Sequence, residues 1–267
     1  MHYIKSLLLA GLLAGHLSTD AYSQSFDDLQ VDFETTFVSK YVWRGYEIFD
    51  DHGATQPSLT IFDDKTGLSV NIWGAIPIGS GGDNINALQE YDYTISYGYS
   101  FLEESTWQID TSLSYIYYDF PKLNSSADTQ EVGLSIELPN ILKIGPGSLA
   151  PAFYIGSLWP SDSGLKDDNG DNADIAGFYY SAALNYGFEI VKDVPMTVFG
   201  QIDFNDGIFA NDSEFTHATF GISTEWVYKK FTISPFINYQ ITMDTDLEET
   251  NGDDHELYGG LTFSFSF

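Results

Sequence analysis

Glu90-Tyr91-Asp92-Tyr93-Thr94-Ile95-Ser96-Tyr97-Gly98-Tyr99-Ser100-Phe101 alternates at every step. Its odd positions carry large rings and an isoleucine, and its even positions carry acids, Thr, Ser and Gly. A period of two sends these sets to opposite faces of an extended strand. The bulky face requires an apolar medium. The other face, small and polar, suits the crowded interior of a barrel better than the solvated face of a sandwich, where Lys and Glu are expected.

The same rhythm runs outward in both directions. From Val31 to Trp43 the odd phase is Val31, Phe33, Thr35, Phe37, Ser39, Tyr41 and Trp43, against Asp32, Glu34, Thr36, Lys40 and, one step on, Arg44. Counting in this way predicts twelve strands, at 31–44, 56–63, 68–76, 88–102, 106–118, 129–138, 149–159, 176–190, 196–205, 215–228, 231–243 and 255–267. The number is even, and the connections alternate between tight turns and longer acidic loops, the pattern of a transmembrane antiparallel up-and-down β-barrel. Lys65, Lys143, Lys192, Lys229 and Lys230 fall in the turns and most acids in the loops, so the two ends differ chemically. Trp43, Tyr117 and Trp159 at loop-side strand ends, and Trp107, Trp226 and Tyr228 at turn-side ends, read as interfacial girdles.

Both termini agree with this expectation. Residues 1–23 combine His2 and Lys5, an apolar run from Leu7 to Leu17 and Ala21-Tyr22-Ser23, which reads as a signal peptide, leaving 24–267 as the barrel. The last eleven residues, Leu257 to Phe267, alternate to a terminal phenylalanine and resemble the signal read by the barrel-assembly machinery, which makes Phe267 the candidate assembly residue. No other run is apolar for the length a membrane helix needs. The chain has no cysteine and a net charge of −29, with no basic patch, so nucleic acid is excluded as a partner. The expected location is the outer membrane of a Gram-negative bacterium, with membrane lipid, lipopolysaccharide and small solutes as partners and no cofactor.

Phe37-Val38-Ser39-Lys40-Tyr41-Val42-Trp43-Arg44-Gly45 resembles the opening S-x-Y-x-[FW]-R-G motif of the TorF family of porins, also called the Gcw_chp family. Gln56-Pro57-Ser58-Leu59 and Gly67-Leu68-Ser69-Val70-Asn71-Ile72-Trp73-Gly74 are similar to the P-x-L strand and G-hydrophobic-W hairpin arm that follow it. The likeness covers residues 31–76. It implies an outer-membrane barrel with pore activity and supplies no site.

On the inner phase, Lys40, Arg44, Glu90, Asp92, Asp203, His217, Glu225 and Glu256 are the candidate pore-lining residues, with Glu34, Glu131 and Glu137 as further acids. Acids outnumber bases, so an open pore is expected to prefer cations. Arg44, the chain's single arginine, is expected to shape the constriction or to bridge to Glu256 across the seam between first and last strands. Trp73, Phe199 and Tyr258 also point inward, which leaves a closed structural or adhesion barrel as the alternative. His217 near Asp212 and Glu214, with His52 and His255, lacks a nucleophile at a recognisable spacing, so a barrel enzyme ranks below both. The loops 167–174 and 244–254 are oxygen-rich enough for loose divalent binding but match no calcium motif, and no metal site is assigned.

Overall fold

The computed structural model describes residues 29–79, 82–123, 125–161, 176–192, 194–210, 212–244 and 254–267, together with Leu247 and Asn251. The signal-peptide reading and the loop 167–174 lie outside these residues, as does most of 245–253. The sheet strands are β1 (Leu29–Val38), β2 (Ala54–Asp63), β3 (Leu68–Pro77), β4 (Glu90–Phe101), β5 (Ile109–Asp119), β6 (Thr129–Glu137), β7 (Gly147–Pro160), β8 (Gly177–Val191), β9 (Val194–Asp206), β10 (Glu214–Thr224), β11 (Phe231–Thr242) and β12 (His255–Ser266). Each pairs antiparallel with its neighbours in sequence, and β12 returns to β1 through Asp32↔Ser266 to Val38↔Gly260. The expected twelve-stranded barrel is therefore closed, and its ladder has no free edge.

Alternation decides the two faces. Phe33, Ile72, Tyr97, Leu113, Phe153, Phe220 and Ile237 point outward and are exposed. So continuous an apolar exterior is not tolerated in water and marks the lipid-facing surface. Trp107, Trp226 and Tyr228 are exposed at the turn end, where a girdle was expected. Turns are built locally: Asp63 accepts hydrogen bonds from Lys65 N (3.0 Å) and Thr66 Oγ1 (2.9 Å), and Gly67 completes the reversal at φ +74°. The long 139–148 connection is resolved by Leu142–Ile144 folding back on Gly147–Leu149, which extends the hairpin of β7.

The first strand departs from expectation. It ends at Val38, not at Arg44. Ser39 N still donates to Gly259 O (2.8 Å), but the chain then turns into the bore. Val42–Trp43 pairs with Tyr46–Glu47 in a small hairpin whose turn residues, Arg44 (φ 50°) and Gly45 (φ +91°), are left-handed. Tyr41 and Trp43 are thus not lipid-facing. Phe49 is fully buried, and Tyr41, Trp43 and Ile48 pack with it against Trp73, Ile85, Phe236 and Tyr258. Trp73 and Tyr258 point inward as expected, and so does Phe199, whose ring fills the space beside Gly221. The loop 39–53 folds inward because the apolar side chains it carries would otherwise stand in water at the mouth.

Candidate functional site

Burial of the inner face varies along the barrel axis. Near the loop end, Glu90, Tyr118, Glu131, Tyr154, Tyr179, Asp203, His217, Gln240 and Glu256, inner positions from nine strands, are all buried. Towards the turn end, Asp32, Glu34, Asn71, Ser96, Ser112, Ser135 and Asn185 on the same inner face are only half-buried. The inward loop therefore forms a constriction at the loop end above a vestibule whose lining is half-buried at these positions and buried at Ser223, Glu225 and Ser234.

Two cations of the loop are seated on opposite walls. Lys40 Nζ lies 2.8 Å from Glu256 Oε2 and 3.4 Å from Glu47 Oε2, and it also pairs with Asp51. Burial pushes its ammonium down most strongly, but the bonds to Asp51 and Glu256 outweigh that and hold it above its ordinary value. Arg44 does not bridge to Glu256. Its Nη2 lies 2.6 Å from both Oε1 and Oε2 of Glu131 on β6. The seam partner of Glu256 is Lys40, because the chain leaves the sheet before Arg44 and the turn carries the guanidinium across the bore. Its Cζ sits 4.3 Å from the centroid of Tyr179 and 4.6 Å from that of Trp43, while Nε and Nη1 are buried without a hydrogen-bond partner. The two ring faces stabilise the charge of the guanidinium, but its in-plane Nε and Nη1 donors stay unsatisfied.

Glu131 is held as firmly as its partner. Tyr118 OH donates to Oε2 (3.0 Å) and Tyr154 OH donates to Oε1. These side chains fit because Gly133 and Gly156, paired in register, carry no Cβ: one at Gly133 would meet the Tyr154 ring, and one at Gly156 the Glu131 carboxylate. The loop tip is fixed from the other side. Gly45 O accepts from Gln240 Nε2 (3.0 Å) and Asn251 Nδ2 (2.7 Å), and a Cβ at Gly45 would collide with His217 and Leu247. Tyr41 OH donates to Glu90 Oε2 at 2.8 Å.

The structure thus brings Lys40, Arg44, Glu90, Asp92, Asp203, His217 and Glu256 to the loop-side constriction and leaves Glu225 at the turn end, where its N donates to Pro195 O (3.3 Å). His217 faces neither Asp212 nor Glu214. A bulge at Thr216 turns it onto Asp203 (Nε2 to Oδ2, 3.2 Å), with Thr216 Oγ1 3.0 Å from Nδ1. Thr216 is buried, at 1% exposure. The aromatic wall of Tyr118, Tyr154 and Tyr179 is inner-phase in the sequence, but its convergence on one guanidinium is set by the register across β5 to β8.

No protein-family model matches the chain, and no curated protein is similar to it in sequence. Solved structures match over nearly the whole length. The NanC porin is 11% identical with a TM-score of 0.52, covering 89% of this chain and 98% of that one. The COG4313 outer membrane channel from Pseudomonas putida F1 is 12% identical with a TM-score of 0.50, covering 90% and 94%. A bacterial polysaccharide outer membrane secretin is 8% identical with a TM-score of 0.50, covering 90% and 98%. Identities this low carry the architecture alone, and that architecture, with the lipid-facing exterior, is the bacterial outer-membrane β-barrel.

Proposed function

We propose that the chain is a porin-like channel of the bacterial outer membrane that passes small hydrophilic solutes and prefers cations. One observation carries the reading: none of the twelve strands contains a lysine or an arginine, so the charged side chains on the wall of the bore, His217 apart, are acids, and the inward lysine and arginine among the described residues, Lys40 and Arg44, belong to the loop. Rings of one sign of charge sort solutes entering a narrow low-dielectric path. The likeness of Phe37 to Gly45 to the TorF motif supports the same reading, since Ser39, Tyr41, Trp43, Arg44 and Gly45 are the residues that seat the constricting loop. The test is a planar-bilayer measurement of the purified protein under a potassium chloride gradient. The reversal potential should lie towards the potassium equilibrium potential; a value at the chloride side overturns the preference.

The inward loop favours a second reading, a shut barrel acting as a structural or adhesion element through its acidic loops. It predicts no conductance from correctly folded protein, and the same measurement separates the two.

A further inference from the structure

Arg44 occupies a recess whose walls are complete without it. Glu131 is fixed by two tyrosine hydroxyls and accommodated by Gly156, and the face of Tyr179 waits at cation–π distance. Carboxylate oxygens with flat aromatic surfaces are the chemistry that recognises a planar guanidinium. The resident group fits it incompletely. Arg44 is 8% exposed, yet only Nη2 finds the carboxylate, and Nε and Nη1 remain buried without acceptors. As seated from its left-handed turn, Arg44 presents one nitrogen and not its two-nitrogen fork to the carboxylate, whereas a free ligand carries no such tether.

We propose that the Glu131 recess is a binding site for guanidinium-bearing solutes and that Arg44 is its built-in occupant, a pseudo-ligand that closes the bore until a solute displaces it. The proposal deepens the reading of a cation-preferring channel and rests on it. Displacement releases the loop's tie to β6, while the hydrogen bonds of Gly45 O to Gln240 and Asn251 and the Lys40–Glu256 pair hold the loop on the opposite wall, so the same loop returns when the solute leaves.

The test replaces Arg44 with glycine, which accepts the φ of 50° without strain, and uses agmatine as the probe, with potassium at equal ionic strength as the control. Agmatine should raise the unfolding temperature of refolded Arg44→Gly protein in detergent, and should block its current at concentrations at least tenfold below those needed in the Arg44→Gly/Glu131→Gln double variant. Equal responses in the two variants, or none in either, overturn the site. Stabilisation by agmatine with no conductance in any variant supports the site and sinks the channel reading instead. Should Arg44→Gly fail to fold, the wild-type barrel carries the test. Because the chain has no cysteine, a spin label at Asp50→Cys reports on the loop alone: agmatine should increase its mobility where potassium does not, and an unchanged spectrum refutes displacement.

Discussion

Arg44 Nη2 lies 2.6 Å from each carboxylate oxygen of Glu131, on the wall of the barrel opposite the seam where the strand preceding Arg44 pairs. The pair ties the first loop to the sixth strand across the bore. It is both a mechanical tie and the neutralisation of one of the wall's acids.

Arg44→Ala is therefore expected to do two things together. Leaving Glu131 buried and unpaired should cost on the order of 3–5 kcal/mol if water stays out, and less if the vestibule floods. Removing the charge should also move the reversal potential further towards that of potassium. Urea titration of the refolded variant and bilayer recordings check the two effects; if neither value changes, the tie has no energetic or electrostatic role.

Lys40→Met should be milder. Lys40 shares its charge among Glu47, Asp51 and Glu256, and Asp51 is exposed, so the cluster is partly wet and the loss is expected at about 1 kcal/mol. A double-mutant cycle with Glu256→Gln measures the coupling, which should fall below that of the Arg44–Glu131 pair. A larger coupling would place the dominant tie at the seam.

Gly133→Ala tests the packing beneath the recess. The added methyl collides with the ring of Tyr154, which is held by Glu131 and cannot swing away freely. Overpacking of this kind costs about 1–3 kcal/mol. Gly187→Ala, where a Cβ meets nothing closer than ordinary contact, is the control and should shift the urea midpoint far less. Equal shifts at the two positions would argue that the recess is soft.

Barrel closure predicts heat-modifiable migration, with the folded protein running differently on gels before and after boiling. Phe267 enters the same assay. Its N donates to Val31 O (2.9 Å), and its exposed ring sits 4.8 Å from that of Phe265 on the outer face. We expect Phe267→Asp to be exported normally but to yield little of the heat-modifiable species, because an acid replaces an aromatic residue at the assembly signal. Normal outer-membrane levels of that variant would remove Phe267 from the assembly role.

Periodicity alone fixed most of the architecture. The alternation at Glu90–Phe101 names which side chains meet lipid and which meet the bore, since neighbouring side chains on a strand must point to opposite faces. Counting its recurrences yields twelve strands, and an even antiparallel set with a polar inner phase has to close or expose an edge to lipid. The inward placement of Trp73, Phe199 and Tyr258 follows from the same count.

The alternation of Ser39, Tyr41 and Trp43 looks identical to that of Phe33, Thr35 and Phe37, yet the first set lies inside the barrel and the second belongs to its wall. Local pattern cannot separate them, because a lipid-facing aromatic and a plugging aromatic have the same side chain. The difference lies in contacts remote in sequence: Trp73, Phe236 and Tyr258 offer Tyr41 and Phe49 a buried surface, and Glu131, 87 residues downstream, offers Arg44 a counter-charge. The sequence by itself determined a lipid-facing, acid-lined, twelve-stranded barrel. Only the tertiary structure decided that its single arginine leaves the wall and crosses the bore, because that outcome depends on which distant side chains the closed register brings within reach of one left-handed turn.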